Sequence, residues 1–185
     1  MAHPRILELE RSLLLVIDVQ EAFRNVIYGF SEMVSRATIA VKAFQILARP
    51  IIVTEQYPTG LGRTVDEILL SLPEELEPIE KLSFSSCGAA SFIDRLSSSG
   101  AQQVVVCGIE AHVCVDQTVH DLLDRGHQVH ILTDAVGSRT DRDREAGLAK
   151  MFGSGAVPST VEMALFEMMR DSKHSQFKQV QSLLR

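Results

Sequence analysis

Three uninterrupted apolar runs constrain the fold more than any other feature of the chain: Leu13–Ile17, Ile51–Val53 and Val104–Val106. Each is too short for a helix and lacks the alternation of a strand with one wet face. Such runs are strands buried on both sides, as in a parallel sheet. Asp18, Thr54-Glu55 and Cys107-Gly108 stop them. After the first run, Val34, Ala37, Val41, Phe44 and Leu47 recur at helical spacing. Strands alternating with helices make βαβ units, whose crossovers are right-handed. Ligands of such sheets bind beyond the carboxyl ends of the strands, where strand order reverses.

Read in order, the chain opens with a polar lead-in over residues 1–11. The first strand is followed by a helix opened by Ser31 and closed at Arg49-Pro50. The second strand, 51–54, ends in Glu55, and 57–62 is a loop by its Pro and Gly content. Thr64 and Glu67 form a capping-box pattern for a short helix to about Leu72. A short third strand is expected at 79–82, a helix at 86–96 and a fourth strand at 103–107. The chain turns at Gly108 and re-enters a helical pattern that carries Cys114 in its first turn and ends at Arg125-Gly126. A fifth strand, 128–133, ends in Asp134, and a charged helix follows from Thr140 to about Phe152. A short sixth strand at 156–157, a helix opened by Ser159 and Glu162, and a last helix over 175–184 complete the chain. No repeat or linker divides it, so one domain over 1–185 is expected. The architecture expected is three-layer α-β-α around a six-stranded parallel sheet of order 3-2-1-4-5-6.

A net charge of −6 and a pI near 5.5 argue against nucleic acid or an anionic membrane as partner. The apolar runs are too short to cross a bilayer, and the N-terminus shows no signal-peptide core. Three cysteines with no Cys-x-x-Cys pair give no disulfide framework, which suits a reducing, cytoplasmic setting.

The polar residues that follow the strands are the candidates for chemistry. Asp18, Glu55, Lys81, Cys114 and Asp134 would line one edge of the sheet. In the expected order the first and fourth strands flank the reversal, which puts Asp18 beside Cys114. A thiol, a carboxylate and an ammonium are a nucleophile, a proton acceptor and a stabilising cation. Lys81 and the helix terminus would lower the thiol pKa. Cys114 also fits a buried structural thiol; Cys87 is the rival nucleophile, and Cys107, inside a strand, reads as core. Asp134 is expected to brace the sheet edge.

Asp18-x-Gln20-x-x-Phe23, Lys81 and Gly108-Ile-Glu-Ala-His-Val-Cys114 together resemble the isochorismatase-like cysteine hydrolases. Thr54-Glu-Gln-Tyr-Pro-x-Gly-Leu-Gly62, Leu122-Leu-Asp-Arg-Gly126 and Gln176-Phe-Lys178 resemble the isochorismatase-domain-containing branch, and the likeness runs over about residues 12–182. It implies a catalytic triad of Asp18, Lys81 and Cys114. It also implies a cis peptide before Glu110, whose N–H would join that of Cys114 in an oxyanion hole. Attack by Cys114 on a carbonyl or nitrile-like carbon, with Asp18 moving the proton, would give an acyl-enzyme that water resolves. Gln20, Phe23, Glu55 and Tyr57 are the expected substrate contacts.

The sequence departs from the nicotinamidase-type members, which carry an Asp-x-His metal motif after the second strand. Here the residues are Glu55-Gln-Tyr57, with no histidine between His3 and His112, so no metal and no cofactor are expected. Relatives that cleave isochorismate itself lack the cysteine. The function expected is hydrolysis of a small amide or related acyl compound by a homo-oligomer, a dimer or larger. The alternative is a silent small-molecule-binding or scaffolding protein that keeps the fold.

Overall fold

Leu13, Leu15 and Ile17 face one side of the first strand, Leu14 and Val16 the other, and all five are fully buried. That double burial fixes a helical layer on each side of the sheet. The computed structural model describes His3 and residues 5–185. Its strands are β1 (Ser12–Ile17), β2 (Ile51–Gln56), β3 (Ile79–Lys81), β4 (Gln103–Ile109), β5 (Gln128–Gly137) and β6 (Val157–Ser159). They form one parallel sheet of order β3-β2-β1-β4-β5-β6, the order expected.

The helices are α1 (Phe30–Ile46), α2 (Pro58–Leu61), α3 (Asp66–Leu69), α4 (Ala90–Ser99), α5 (Cys114–Asp124), α6 (Asp141–Gly153), α7 (Val161–Met169) and α8 (Phe177–Ser182). Phe30, Val34, Ala37, Val41 and Phe44 of α1 pack with Leu165 and Met168 of α7 and Val180 of α8 under Leu14, Val16 and Val105. On the other face Phe92 and Leu96 of α4, Val115, Val119 and Leu122 of α5, and Met151 of α6 pack on Leu13, Leu15, Ile17 and Val106. None of the described helices is long and apolar enough to cross a membrane.

Several element ends differ from the sequence reading, each for a local reason. Helix α1 starts at Phe30 from a left-handed Gly29, so Ser31 lies within its first turn and is not its cap. The span expected as one helix at 86–96 is a 3-10 turn, Ser86–Gly88, followed by α4. Thr64 does not cap α3; its N–H and hydroxyl donate to Glu55 at 2.6 and 2.7 Å, and Val65 takes the cap position. The cap of α7 is Thr160, which accepts from the Met163 N–H, because Ser159 is held in β6 opposite Leu132. Strand β5 runs three residues past Asp134, helped by a register shift on β4 between Val106 and Gly108.

Gly108 is the residue that lets β1 and β4 meet closely. A Cβ there would lie 2.1 Å from the Ile17 carbonyl oxygen, and φ is +118°. This contact sits directly before Asp18 on one strand and the Cys114 turn on the other.

Candidate active site

Cys114 is the first residue of α5, and the turn that delivers it is tied down on both sides. The Ile109–Glu110 peptide is cis. The Val113 and Val115 amides both donate to the Glu110 carbonyl, at 3.0 and 3.2 Å, and the Ala111 amide donates to Gly137 at 2.8 Å. Among the described residues the amides of Glu110 and Cys114 have no protein acceptor. They are therefore free to donate to a bound group.

Asp18 follows β1 with φ at +51° and donates its N–H to the Thr54 carbonyl. One carboxylate oxygen accepts from the Thr54 hydroxyl at 2.7 Å. The other accepts from Lys81 Nζ at 2.6 Å, and Cys114 lies close enough to the carboxylate for the two groups to shift each other's pKa. The Lys81 and Asp18 side chains are 0% and 2% exposed, so the pair is desolvated and unscreened. Lys81 Nζ is also held by Gln56 Oε1 at 2.8 Å and by the Phe84 and Ser83 carbonyls at 2.9 and 3.1 Å. Its charge is directed at Asp18.

Burial runs against the expected thiol chemistry. Burial, then the charge of Asp18, pushes the Cys114 pKa up to about 12, against the opposing pull of Lys81. Both effects favour the thiol over the thiolate. Burial also raises the Asp18 carboxyl above its ordinary range, although Lys81, Thr54 and Cys114 all pull it down. A carboxylate of raised pKa beside a thiol is suited to take its proton on demand.

Asp18 and Cys114 form the floor of a cavity of about 340 Å³. Phe23, Leu61, Phe84, Ile109 and Val113 give it apolar walls; Gln56, Glu110 and Arg139 complete it. A larger groove of about 600 Å³ runs along α1, but it holds none of these residues and no cysteine or histidine.

The other expected contacts are placed differently. Of the four substrate-contact candidates only Phe23 lines the cavity. Gln20 is buried as a brace: its amide accepts from the Gln56 N–H at 2.8 Å and donates to the Gln56 and Gly62 carbonyls at 3.0 and 2.7 Å. Glu55 is turned away and occupied by Thr64. Tyr57 is half exposed and lies in a separate shallow groove with Leu82. Asp134 lies inside β5, where it accepts from the Val161 N–H at 3.0 Å and faces Arg36 at 3.7 Å, away from the cavity. Cys107 is fully buried in β4 and Cys87 lies beside Ser85, with burial raising both thiol pKa values. Among the described residues no three His, Cys, Asp or Glu side chains group as a metal-ligand set.

Sequence reasoning missed Thr54, Gln56, Leu61, Phe84 and Arg139. Thr54 had a usable signal, since it pairs with Ile17 in the β1–β2 register and so stands next to Asp18. Arg139 lies just past β5 in a connection whose path no periodicity reveals.

The isochorismatase domain model matches residues 12–163. The isochorismatase domain-containing protein 2 of Danio rerio is 44% identical over 173 residues, covering 94% of this chain and 86% of that protein. A solved structure described as the MAR1 ribonuclease of Caenorhabditis elegans superposes with a TM-score of 0.93 at 40% identity, over 97% of this chain and 92% of that one. The YcaC protein of Escherichia coli, described as an octameric hydrolase of unknown specificity, shares the fold with a TM-score of 0.90 at 20% identity, over 97% of this chain and 89% of that one.

Proposed function

The chain belongs to the isochorismatase-like hydrolase family, and from that premise we propose that it is a metal-independent cysteine hydrolase of small amides or related acyl compounds. The observation that carries this reading is the buried Lys81–Asp18 pair at 2.6 Å, with Asp18 and Cys114 lining one cavity large enough for a small molecule. Cys114 Sγ attacks the carbonyl carbon while its proton passes to Asp18. The developing oxyanion is met by the free amides of Glu110 and Cys114, each donor being worth roughly 3 kcal/mol of barrier. Asp18 then protonates the leaving amine as the C–N bond breaks, leaving a thioester on Cys114. Water attacks the thioester, gives its proton to Asp18, and the released sulfur recovers that proton. Lys81 keeps Asp18 ionised and oriented between transfers.

We propose further that the chain works as a dimer or larger assembly. Met163 and Phe166 on α7 leave apolar surface exposed for such a contact, and light scattering on the purified chain tests it. The name of the C. elegans relative raises RNA cleavage as a rival reading, which the chain's net charge of −6 disfavours.

The test is site-resolved alkylation of the native protein, read by peptide mass spectrometry across pH. Cys114 should react faster than Cys87 and Cys107, and Asp18→Asn should remove that advantage. Turnover is then sought on amide and on RNA substrates in parallel. An inert Cys114 in the folded protein refutes the hydrolase reading and favours a silent binding protein. Cleavage of RNA alone favours the ribonuclease reading.

A further inference from the structure

The cavity that holds Cys114 contains a second ion pair, which the chemistry above does not use. Glu110 Oε2 accepts from Arg139 Nε and Oε1 from Arg139 Nη2, both at 3.1 Å, a fork-on-fork contact that leaves little of either charge unanswered. The Glu110 side chain is 6% exposed, whereas that of Arg139 is 61% exposed. The carboxylate is thus the buried member, and the guanidinium closes over it from the solvent side.

With both carboxylates ionised, Asp18 and Glu110 are balanced by Lys81 and Arg139, and the site carries no net charge. Its walls are apolar: Phe23, Leu61, Phe84, Ile109 and Val113. An arginine in an apolar cavity is ordinarily a carboxylate receptor. Here that receptor is already filled by the protein's own glutamate. We propose that the Glu110–Arg139 pair sets substrate charge, so that the cavity accepts a neutral, apolar acyl group and turns away substrates bearing a carboxylate or an ammonium. The inference rests on the reading of Cys114 as the nucleophile, and names the substrate class of that site.

Two features favour this over a purely structural ion pair. The pair lines the cavity itself, with Glu110 in the turn that leads to Cys114. The charge of Glu110 also reaches the reacting atom, since it contributes to the rise of the Cys114 pKa. Removing either partner therefore changes the field where the substrate's substituent lies.

Three thiol reagents of similar length and different charge test it: propyl, 2-sulfonatoethyl and 2-aminoethyl methanethiosulfonate. Cys114 sulfur forms a disulfide with the reagent's outer sulfur, methanesulfinate leaves with the bonding electrons, and the thiol proton goes to Asp18. Rates at Cys114 are divided by those of a small thiol in solution at the same pH. In the native protein the propyl reagent should lead both charged ones by about tenfold, the size of effect one uncompensated charge has at this range. Glu110→Gln frees Arg139 and should raise the relative rate of the sulfonate by about tenfold; Arg139→Gln should do the same for the ammonium. Arg139→Lys, which keeps the charge, should retain native selectivity. Equal relative rates for all three reagents in native protein and in Glu110→Gln overturn the proposal while leaving the nucleophile standing. If no reagent labels Cys114 in the folded protein, the nucleophile reading falls and this inference falls with it.

Discussion

Asp18 and Glu55 are both buried carboxylates at the carboxyl ends of neighbouring strands, yet only Asp18 lines the cavity. Asp18 is ringed by a hydroxyl, an ammonium and a thiol, and borders a cavity. Glu55 sits on β2 opposite Glu80 of β3, and its carboxylate accepts two hydrogen bonds from Thr64. That contact anchors the strand-like meeting of Gln20 with Thr64 and so fixes the loop that supplies Leu61 to the cavity. A position at the carboxyl edge of a parallel sheet does not by itself bring a residue to the cavity. What the next loop brings to it decides.

The largest expected effect separates the two directly. Asp18→Asn should slow both the reaction of Cys114 and any turnover by about a thousandfold, the range of a lost general base. Glu55→Gln should leave both within about threefold, because the amide oxygen still accepts from Thr64. The wild-type rate at Cys114 should rise as pH passes up through the raised Asp18 pKa, then level off until the thiol itself ionises near 12. In Asp18→Asn the plateau should vanish and the rate should follow thiol ionisation alone. A plateau that survives in Asp18→Asn would break the distinction between the two carboxylates.

Lys81→Met makes the second-largest effect, on stability. It leaves Asp18 buried without its cation, which costs about 3–5 kcal/mol when one member of a buried pair is removed. The cost should shrink in acid, where Asp18 is protonated and needs no partner. Denaturant midpoints at pH 4 and pH 7 measure this, and an equal loss at both would show that the pair is not what stabilises the edge.

The strands and their order were legible because double burial forces continuous apolar runs, and such runs have few alternatives. Asp18 and Lys81 were legible as residues at strand ends, and Cys114 as a residue in the first turn of the helix after the fourth strand, before any side-chain geometry. The sign of the thiol shift was not. Helix position and a nearby lysine suggest a thiolate, whereas burial of the thiol, then the charge of Asp18, raises its pKa. Glu55, Gln20 and Tyr57 follow strands or motifs that point to the site but do not line the cavity: Thr64 holds Glu55, the Gln56 and Gly62 backbone holds Gln20, and Tyr57 lies in a separate groove. Arg139 carries no periodic signal, because it lies in a connection between β5 and α6.

His130 is the control for both carboxylates. It is fully buried in β5, between Val105 of β4 and Val157 of β6, and among the described residues neither ring nitrogen has a partner. Burial alone lowers its pKa from 6.5 to about 4. The folded protein therefore holds His130 neutral where the unfolded chain would protonate it. Its contribution to stability is complete above pH 6.5 and is lost as pH falls towards 4, on the order of 3 kcal/mol in all. Asp18 acts with the opposite sign: its folded pKa is raised, so its contribution is complete below the ordinary carboxylate range and is lost as pH rises through the folded value. His130→Leu should flatten the acid limb between pH 6.5 and 4 in urea titrations and leave the alkaline side unchanged. If the limb keeps its slope in His130→Leu, some other group carries it. In that case a buried ionisable side chain without partners costs this fold less than the contrast with Asp18 implies.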